Sequence, residues 1–394
     1  MTATARLLRD DELADWDARA VDAPGGHVLQ SRAWAEHRRA AGWQPRYVEA
    51  GACRALALVR SWPLLGGGSA YLPRGPVGSG IPWTAGEDGA VAPDAGAGAA
   101  IGAALDATGA LLAREGIDVI AADPEVVAAD EAYGARLAAA GFRPIPEIQP
   151  SRHRMALALP AGGDAPAVLD GVAKATRQRI RRAERDLVTV LRHDARWAPG
   201  DDGDTGFVVP GEAGNLALDR FYGLLRATGD RRGFGFAGRG EFVAWWRRAL
   251  AAGHLVHLEA REGDAGGEVL GGLILYRHGS RLSTAHSADR AERRRDHPGT
   301  MHLLRWRAIE IALAEGRTEM DLGGVDVVGA RRQPVAGEPT FGLYEHKRSF
   351  GAEWVELAGA RERVVRPWRY TAGRVAARAT RALGSVTGSG RDCR

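Results

Sequence analysis

The chain has 394 residues, of which 45% are hydrophobic and 26% charged, and its formal net charge at pH 7 is +4. This length accommodates two ordinary domains with separate cores, and this composition excludes a largely disordered chain. The two cysteines, Cys53 and Cys393, exclude a disulfide framework, and the first twenty residues contain no apolar core of a secretory signal, so a cytoplasmic protein is expected.

The N-terminal half is predicted to begin with helices at 10–20 and 32–41, followed by strands at 46–50, 54–62 and 69–72. A long Ala-rich helix over 99–115 is expected to end at Gly116, because glycine is the usual residue after a helix C-terminus. The Ala/Gly-rich stretch that contains it, 95–113, carries Asp106 and is interpreted as a soluble helix, not a membrane span. A strand at 117–122 then leads to Asp123-Pro124.

The C-terminal half repeats this order, with helices at 216–228 and 241–252, strands at 254–260, 268–277 and 281–287, and a helix at 301–315 that ends at Gly316. A strand at 319–322 then carries Asp321. The segments ALLAREG (110–116) and IALAEG (311–316) match closely, which indicates a weak internal duplication, although Ala-rich helices ending in Glu-Gly also match by chance. Both halves are predicted to be mixed α/β or α+β layers of sheets flanked by helices.

A boundary between the halves is predicted at the three prolines of 143–150, since proline continues neither a helix nor a central strand. The first domain is therefore assigned to 1–150 and the second to 151–357.

Arginine is concentrated in three segments of the chain, 177–185, 290–295 and 361–381. Such clusters suit a polyanionic partner, such as RNA, a nucleotide or an anionic membrane surface. A solvated helix face explains any one of them equally well.

Of the 53 lysine and arginine residues, only Lys174 and Lys347 are lysines. In a chain whose basic residues are nearly all arginines, a retained lysine marks a position that needs a compact, titratable ammonium group. Chance retention is the alternative.

Six segments in register resemble the FemABX family of peptidoglycan-bridge aminoacyltransferases. They are LQSRAWAEHRRAAGW (29–43), SAYLPRGPVG (69–78), IDVIAADPE (117–125), KATRQRIRRAERD (174–186), EMDLGGVD (319–326) and FGLYEHKRSFGAEWVE (341–356). The resemblance spans about 28 to 370. It is closest to the compact, FemX-type members, because no heptad-bearing helical hairpin interrupts the second half.

The resemblance implies tandem GNAT-like domains, with 358–394 packing back on the first. It also implies transfer of an amino acid from aminoacyl-tRNA, a co-substrate, to the stem-peptide amine of a peptidoglycan precursor, either UDP-linked or lipid-linked. No cofactor and no metal are expected. The amino acid donated and the acceptor stay open.

Three residues are predicted to be catalytic through this resemblance. Lys347 matches the lysine of the family's aromatic-Lys pair, between Tyr344 and Phe350, where its ammonium would stabilise charge on the ester oxygens. His346 stands where the family has an aromatic residue, and could add a titratable ring. Asp123 matches a family carboxylate that would accept the proton of the attacking amine, although Asp-Pro pairs also form simple turns.

The predicted substrate-binding residues are mostly basic. Arg38 stands at a position where the family has a basic residue that faces the diphosphate of the precursor. Arg177 and Arg181 lie four residues apart on a basic helix and are expected to converge on one anion. Arg74, in a rigid Pro/Gly turn, and Tyr344 complete the set.

Two other classes of function remain open, one enzymatic and one non-enzymatic. A CoA-dependent GNAT-like N-acyltransferase is one, although the loop 293–300 has a single glycine where the CoA pattern has two. A related enzyme would use aminoacyl-tRNA to build a small peptide metabolite. A non-enzymatic RNA-binding module is the other class. The basic amphipathic segment 368–383 suits contact with anionic lipid or tRNA, but packing on the first domain is the preferred interpretation.

Overall fold

The computed structural model describes residues 3–63, 65–78, 80–85, 91–149, 152–196, 212–232, 238–325 and 332–386. The chain divides into two compact units, Met1–Arg152 with Glu356–Arg394, and His153–Val355. The sequence-based boundaries were 150/151 and 357/358.

The strands run in chain order as follows: β1 Ala5–Leu7, β2 Gln44–Ala50, β3 Cys53–Ser61, β4 Gly68–Leu72, β5 Trp83–Ala85, β6 Val91–Pro93, β7 Ile117–Ala122, β8 Phe142–Pro144, β9 His153–Ala158, β10 Val188–Asp194, β11 Leu255–Glu262, β12 Val269–His278, β13 Arg281–Asp289, β14 Glu319–Asp321, β15 Glu353–Glu356 and β16 Arg361–Val364. The α-helices are α1 Arg32–Ala40, α2 Ala95–Arg114, α3 Glu131–Ala139, α4 Ala165–Gly171, α5 Lys174–Arg185, α6 Glu212–Arg232, α7 Arg239–Ala251, α8 Thr300–Ala314, α9 Phe341–Arg348 and α10 Pro367–Val386.

Each unit is built on one seven-stranded mixed sheet, and in both sheets five strands lie side by side in chain order, with two further strands beyond the parallel pair. The first is β1-β2-β3-β4-β7-β16-β8 and the second is β10-β11-β12-β13-β14-β9-β15. In each, one parallel pair, β4 with β7 or β13 with β14, is connected through a helix, α2 or α8. The predicted α/β class with mixed sheets flanked by helices is confirmed.

Each sheet recruits a strand that is distant in sequence. Strand β16 pairs antiparallel with β7 and β8, so residues near the C-terminus complete the first sheet. Strand β9 pairs antiparallel with β14 in the second. The parallel strands therefore lie inside the sheets and not at their edges.

The two helices that connect the parallel strands, α2 and α8, both end at a C-cap residue that is followed by a glycine. Helix α2 has Glu115 as its C-cap and is followed by Gly116 at φ +88°, and α8 has Glu315 as its C-cap and is followed by Gly316 at φ +65°. A positive φ at this position suits glycine, which has no Cβ to clash.

Helix α2 has the length and apolar composition of a membrane-spanning helix. Just over half of its apolar window, 56%, is buried inside the protein, and Ile101, Leu105 and Leu112 lie in the hydrophobic core of the first unit. A core helix accounts for this composition.

The predicted helix at 10–20 is wrong. The structure has a 3₁₀ turn at Asp10–Glu12 and a π-helical segment at Ala18–Asp22. Trp16 between them is 1% exposed, and its Nε1 donates to the carbonyl of Gln30 at 2.7 Å. This contact with a residue further along the chain determines the path of the backbone here, and it outweighs local helix propensity.

Candidate functional sites

The predicted site residues are divided between the two units. Arg38, Arg74 and Asp123 belong to the first unit, whereas Arg177, Arg181, Tyr344, His346 and Lys347 belong to the second. Two local sites are therefore described, one at the end of each parallel strand pair.

In the first unit, Asp123 follows β7 and is 1% exposed. Tyr71, near the end of the adjacent β4, donates its hydroxyl hydrogen toward the carboxylate, with both oxygens 3.0 Å away. The backbone N–H of Arg74, whose φ is +54°, donates to Asp123 Oδ1 at 2.8 Å. The parallel pairing of β4 with β7 brings these three residues together.

Burial raises the pKa of the Asp123 carboxyl to about 6, against the lowering effects of Arg74 and of the Tyr71 hydroxyl. The Arg74 guanidinium lies 4.0 Å from Asp123 Oδ2. Gln149 donates to the Tyr71 hydroxyl at 2.8 Å and fixes its direction. A buried carboxylate that titrates near neutral pH is suited to accepting a proton.

Arg38 lies on α1 between two indole rings. Its guanidinium carbon is 5.4 Å from the ring centroid of Trp34 and 5.4 Å from that of Trp43. Such cation–π contacts restrict the position of the guanidinium between the two rings.

In the second unit, Lys347 lies on α9 and is 4% exposed, so it is not a turn residue at the surface. Its Nζ donates to the carbonyls of Gly323, at 2.8 Å, and Gly324, at 2.6 Å. These glycines lie two and three residues after Asp321, the last residue of β14. The ammonium is therefore fixed at the end of the parallel pair.

The backbone beside these glycines leaves the regular sheet pattern. Strand β13 pairs with β14 only over Arg281–Ser283, and from there to Asp289 it is paired with β12 but not with β14. Its register with β12 shifts between Ile274 and Leu275, which leaves Ala285 as a bulge residue. Bulges redirect backbone N–H groups and are frequent next to active sites, where such groups stabilise oxyanions.

Aromatic rings line the same end of the second sheet. Tyr344 donates its hydroxyl to Gln333 Oε1 at 2.8 Å. His153 stacks on Trp354 at 3.8 Å between ring centroids, and its Nε2 accepts from the backbone N–H of Val325 at 2.8 Å. Burial lowers the pKa of His153 to about 4, so this ring is neutral beside Lys347.

His346 does not provide the titrating ring that the sequence suggested. Burial, and after it the charge of Arg305, lowers the pKa of His346 far below its usual range. Its Nε2 accepts from Arg305 Nε at 2.8 Å, and its Nδ1 lies 3.2 Å from His302 Nε2. The ring is neutral at physiological pH.

Arg177 and Arg181 do not share a protein partner. The Arg177 Nη1 group donates to carbonyls at the C-terminus of α4, at 2.6 Å to Asp170 and 3.1 Å to Val172. Arg181, one turn further along α5, is exposed. Convergence of the two on one bound anion stays a prediction.

Sequence reasoning missed several residues of these sites. Tyr71 was not among the predicted site residues, and its partnership with Asp123 depends on the pairing of β4 with β7. His302 and Arg305 carry the i, i+3 spacing that places two side chains on one helix face, but nothing local indicates that this face meets α9.

Within the described ranges, no group of three or more His, Cys, Asp or Glu side chains is arranged to hold a metal ion.

Residues 174–348 match the family model of the acetyltransferase (GNAT) domain. Among solved structures, FemX superposes with a TM-score of 0.69 at 18% sequence identity, over 93% of this chain and 98% of that chain. L-PGS from Bacillus licheniformis superposes with a TM-score of 0.50 at 11% identity, over 96% of this chain and 97% of that chain. A search of curated proteins found no match.

The predicted FemX-like architecture is therefore confirmed at the level of the fold, over 93% of the chain. The domain match adds that the second unit is of the acyltransferase type. It includes α5, which carries Arg177 and Arg181, and α9, which carries Tyr344, His346 and Lys347.

Proposed function

We propose, on the premise that this chain is an acyltransferase with FemX-like architecture, that it transfers an amino acid from aminoacyl-tRNA to the stem-peptide amine of a peptidoglycan precursor. The acceptor is UDP-linked or lipid-linked, and the product serves cell-wall bridge formation. The observation that carries this proposal is the buried Lys347 ammonium at the end of the parallel strands of the acyltransferase domain.

The Lys347 ammonium suits the chemistry of ester aminolysis. Attack of an amine on an aminoacyl ester places negative charge first on the carbonyl oxygen and then on the departing ribose oxygen. A positive charge held by two backbone carbonyls is preorganised, so little reorganisation is needed as that charge develops. Lysine provides this charge in a more compact form than arginine.

Asp123 is the proposed acceptor of the proton that the attacking amine must lose. Its pKa of about 6 leaves it ionised at physiological pH and still basic enough to take a proton. Tyr71 and the backbone of Arg74 hold the carboxylate in one orientation.

The anionic parts of both substrates require basic side chains. Arg38, Arg177 and Arg181 are proposed to contact the diphosphate of the precursor, with Arg74 and Tyr344 as further substrate contacts. The protein is proposed to act in the cytoplasm without a metal or cofactor, and the basic helix α10 suits peripheral contact with the inner membrane face.

The packing at the start of α8 supports aminoacyl-tRNA over CoA as the donor. GNAT enzymes that use CoA need an accessible helix N-terminus for its phosphates. Here a Cβ added to Gly299, the N-cap of α8, would lie 2.2 Å from the carbonyl oxygen of Arg179 on α5. Helix α5 thus covers this helix end closely.

The decisive experiment combines the purified protein, a set of charged tRNAs, and UDP-linked or lipid-linked muropeptide. We expect an aminoacylated muropeptide whose formation requires charged tRNA and is abolished by RNase pretreatment. A product that forms from acetyl-CoA alone, or that is insensitive to RNase, contradicts the proposal.

The same assay separates the other functions. Acetyl transfer from acetyl-CoA would identify the N-acyltransferase that the GNAT match permits. Transfer from tRNA to a small amine or peptide, but not to muropeptide, would identify a peptide-metabolite ligase. tRNA binding with no product from any acceptor would favour an RNA-binding module.

A further inference from the structure

Four side chains from three helices of the second unit form a chain of nitrogen–nitrogen contacts, here named the His346 network: Arg179 of α5, His302 and Arg305 of α8, and His346 of α9. Arg305 Nε lies 2.8 Å from His346 Nε2, and His346 Nδ1 lies 3.2 Å from His302 Nε2. Arg179 Nη1 lies 3.3 Å from the same His302 nitrogen. Within the described part of the chain, no carboxylate contacts these four side chains.

Donor and acceptor rules fix the protons of this network. A guanidinium only donates, so His346 Nε2 accepts from Arg305 and His302 Nε2 accepts from Arg179. A neutral imidazole whose Nε2 accepts carries its proton on Nδ1. His346 Nδ1–H therefore donates to His302 Nε2, and the assignments made from the two ends of the network agree.

The network keeps both rings neutral. Burial lowers the pKa of His302 to about 4, with Arg179 and Arg305 acting in the same direction. For His346, burial acts together with Arg305, His302, Lys347 and Arg179, all of which disfavour a second proton. The Nδ1–H tautomer of His346 should thus persist across the physiological pH range.

Burial of the Arg305 charge lowers the stability of the folded protein. It is 2% exposed, burial alone lowers its pKa to about 10, and its Nη1 has no hydrogen-bond partner among the described residues. A buried charge without a paired carboxylate destabilises a protein, and an apolar side chain of similar length usually fits better. The contact that Arg305 does make is with His346.

His346 links α9 to two neighbouring helices beside Lys347. Its ring joins α9 to α8 through Arg305. Its carbonyl accepts from Ser349 Oγ at 2.8 Å, and Ser349 Oγ in turn accepts from Thr176 Oγ1 of α5 at 2.7 Å. These links set the position of α9, from which Lys347 reaches the carbonyls of Gly323 and Gly324.

We propose that Arg305 is a positioning residue for Lys347: it holds His346 as the neutral Nδ1–H tautomer, which binds α9 to α8 and so fixes the Lys347 ammonium. The role of Lys347 itself rests on the proposed function. The state of the His346 ring does not, and it can be measured independently.

The first test is NMR of the full chain with ¹⁵N-labelled histidine side chains. Among the rings with a protonated Nδ1 and an unprotonated Nε2 that do not titrate between pH 5.5 and 8, which should include His302 and His153, we expect one whose signal disappears in His346→Phe. In Arg305→Met this signal should change tautomer or begin to titrate. A wild-type His346 ring protonated on Nε2, or titrating near pH 6, overturns the proposal.

The second test is a double-mutant cycle measured with the aminoacyl-transfer assay. Arg305→Met should lower kcat/KM by about 10- to 100-fold, since small displacements of a catalytic group have effects of this size, while it raises the Tm. In the His346→Phe background the same substitution should have little further effect. Equal losses in both backgrounds overturn the proposal, as does full activity of Arg305→Met.

Arg307→Met is the matched control, because Arg307 lies on the same helix but pairs with Glu310 at 2.7 Å and Glu184 at 3.3 Å. It should leave the tautomer and kcat/KM unchanged. If the wild type shows no aminoacyl transfer, the proposed function fails, and the NMR result still decides whether Arg305 sets the state of His346.

Discussion

The two units share the order of the first five strands of their sheets but differ in the charge that lies at the end of the parallel strands. In the first unit, β4 and β7 end at a buried carboxyl, Asp123, surrounded by hydrogen-bond donors. In the second, β13 and β14 end beside a buried ammonium, Lys347, surrounded by carbonyl acceptors. The same backbone geometry therefore presents an acceptor of protons in one unit and a positive charge in the other.

The second unit also has a carboxylate at the equivalent strand end, but this carboxylate has different partners. Asp321 accepts from the backbone N–H of Gly323 at 2.7 Å and lies 3.7 Å from Arg154. Asp123 instead has its pKa raised by burial. Two Asp residues at matching strand ends thus have different surroundings.

The largest effect is expected from Lys347→Met. Removal of the ammonium should lower kcat by about 1,000-fold, as for loss of a strong transition-state electrostatic contact, with a much smaller change in KM. Lys347→Arg should also be impaired, because a planar guanidinium does not replace a compact ammonium between two carbonyls.

Lys174→Met is the matched control for this prediction, since Lys174 is the other lysine of the chain and is exposed at the start of α5. It should retain wild-type turnover in the same assay. Equal losses in the two lysine variants, or near-normal turnover of Lys347→Met, would show that the second unit does not carry the proposed charge.

A smaller effect on rate is expected from Asp123→Asn. The wild-type rate should rise with pH through an apparent pKa of about 6, because the carboxyl accepts a proton only when ionised. The Asn variant should lose about 100-fold at pH 7.5 and lack this acid limb. An unchanged pH–rate profile in the variant would assign Asp123 a structural role like that of Asp321.

Asp123 should also make stability depend on pH. Its folded pKa of about 6 lies above the unfolded value, so its favourable contribution is complete below about pH 4 and is lost as pH rises through 6. Between these limits the free energy of unfolding of the wild type should fall by on the order of 2–3 kcal/mol relative to Asp123→Asn. Urea denaturation of both proteins from pH 4 to 7 measures this difference, and parallel curves would contradict it.

The smallest effects are expected from substitutions of the two arginines of α5, which should change different properties of the protein. Arg177→Gln should lower the free energy of unfolding by about 1 kcal/mol, because it removes hydrogen bonds to the C-terminal carbonyls of α4. Arg181→Gln should leave stability unchanged and weaken binding of the UDP-linked precursor, measured by calorimetry. If Arg181→Gln binds normally, the exposed face of α5 does not contact the precursor.

Local sequence determined most of the elements that build each sheet. The strand at 117–122 and the glycine stops at Gly116 and Gly316 were predicted at the positions observed, since alternating apolar patterns and glycine's access to positive φ are properties of a few neighbouring residues. The family motif likewise singled out Lys347 and Asp123.

Tertiary structure alone decided what those residues do. It closed the first sheet with β16, paired Tyr71 with Asp123, turned Arg177 toward α4, and placed Arg305 against His346. Most of these contacts join elements far apart in sequence, and a side chain's burial, partners and pKa depend on all the elements packed around it. No local pattern in the sequence encodes that environment.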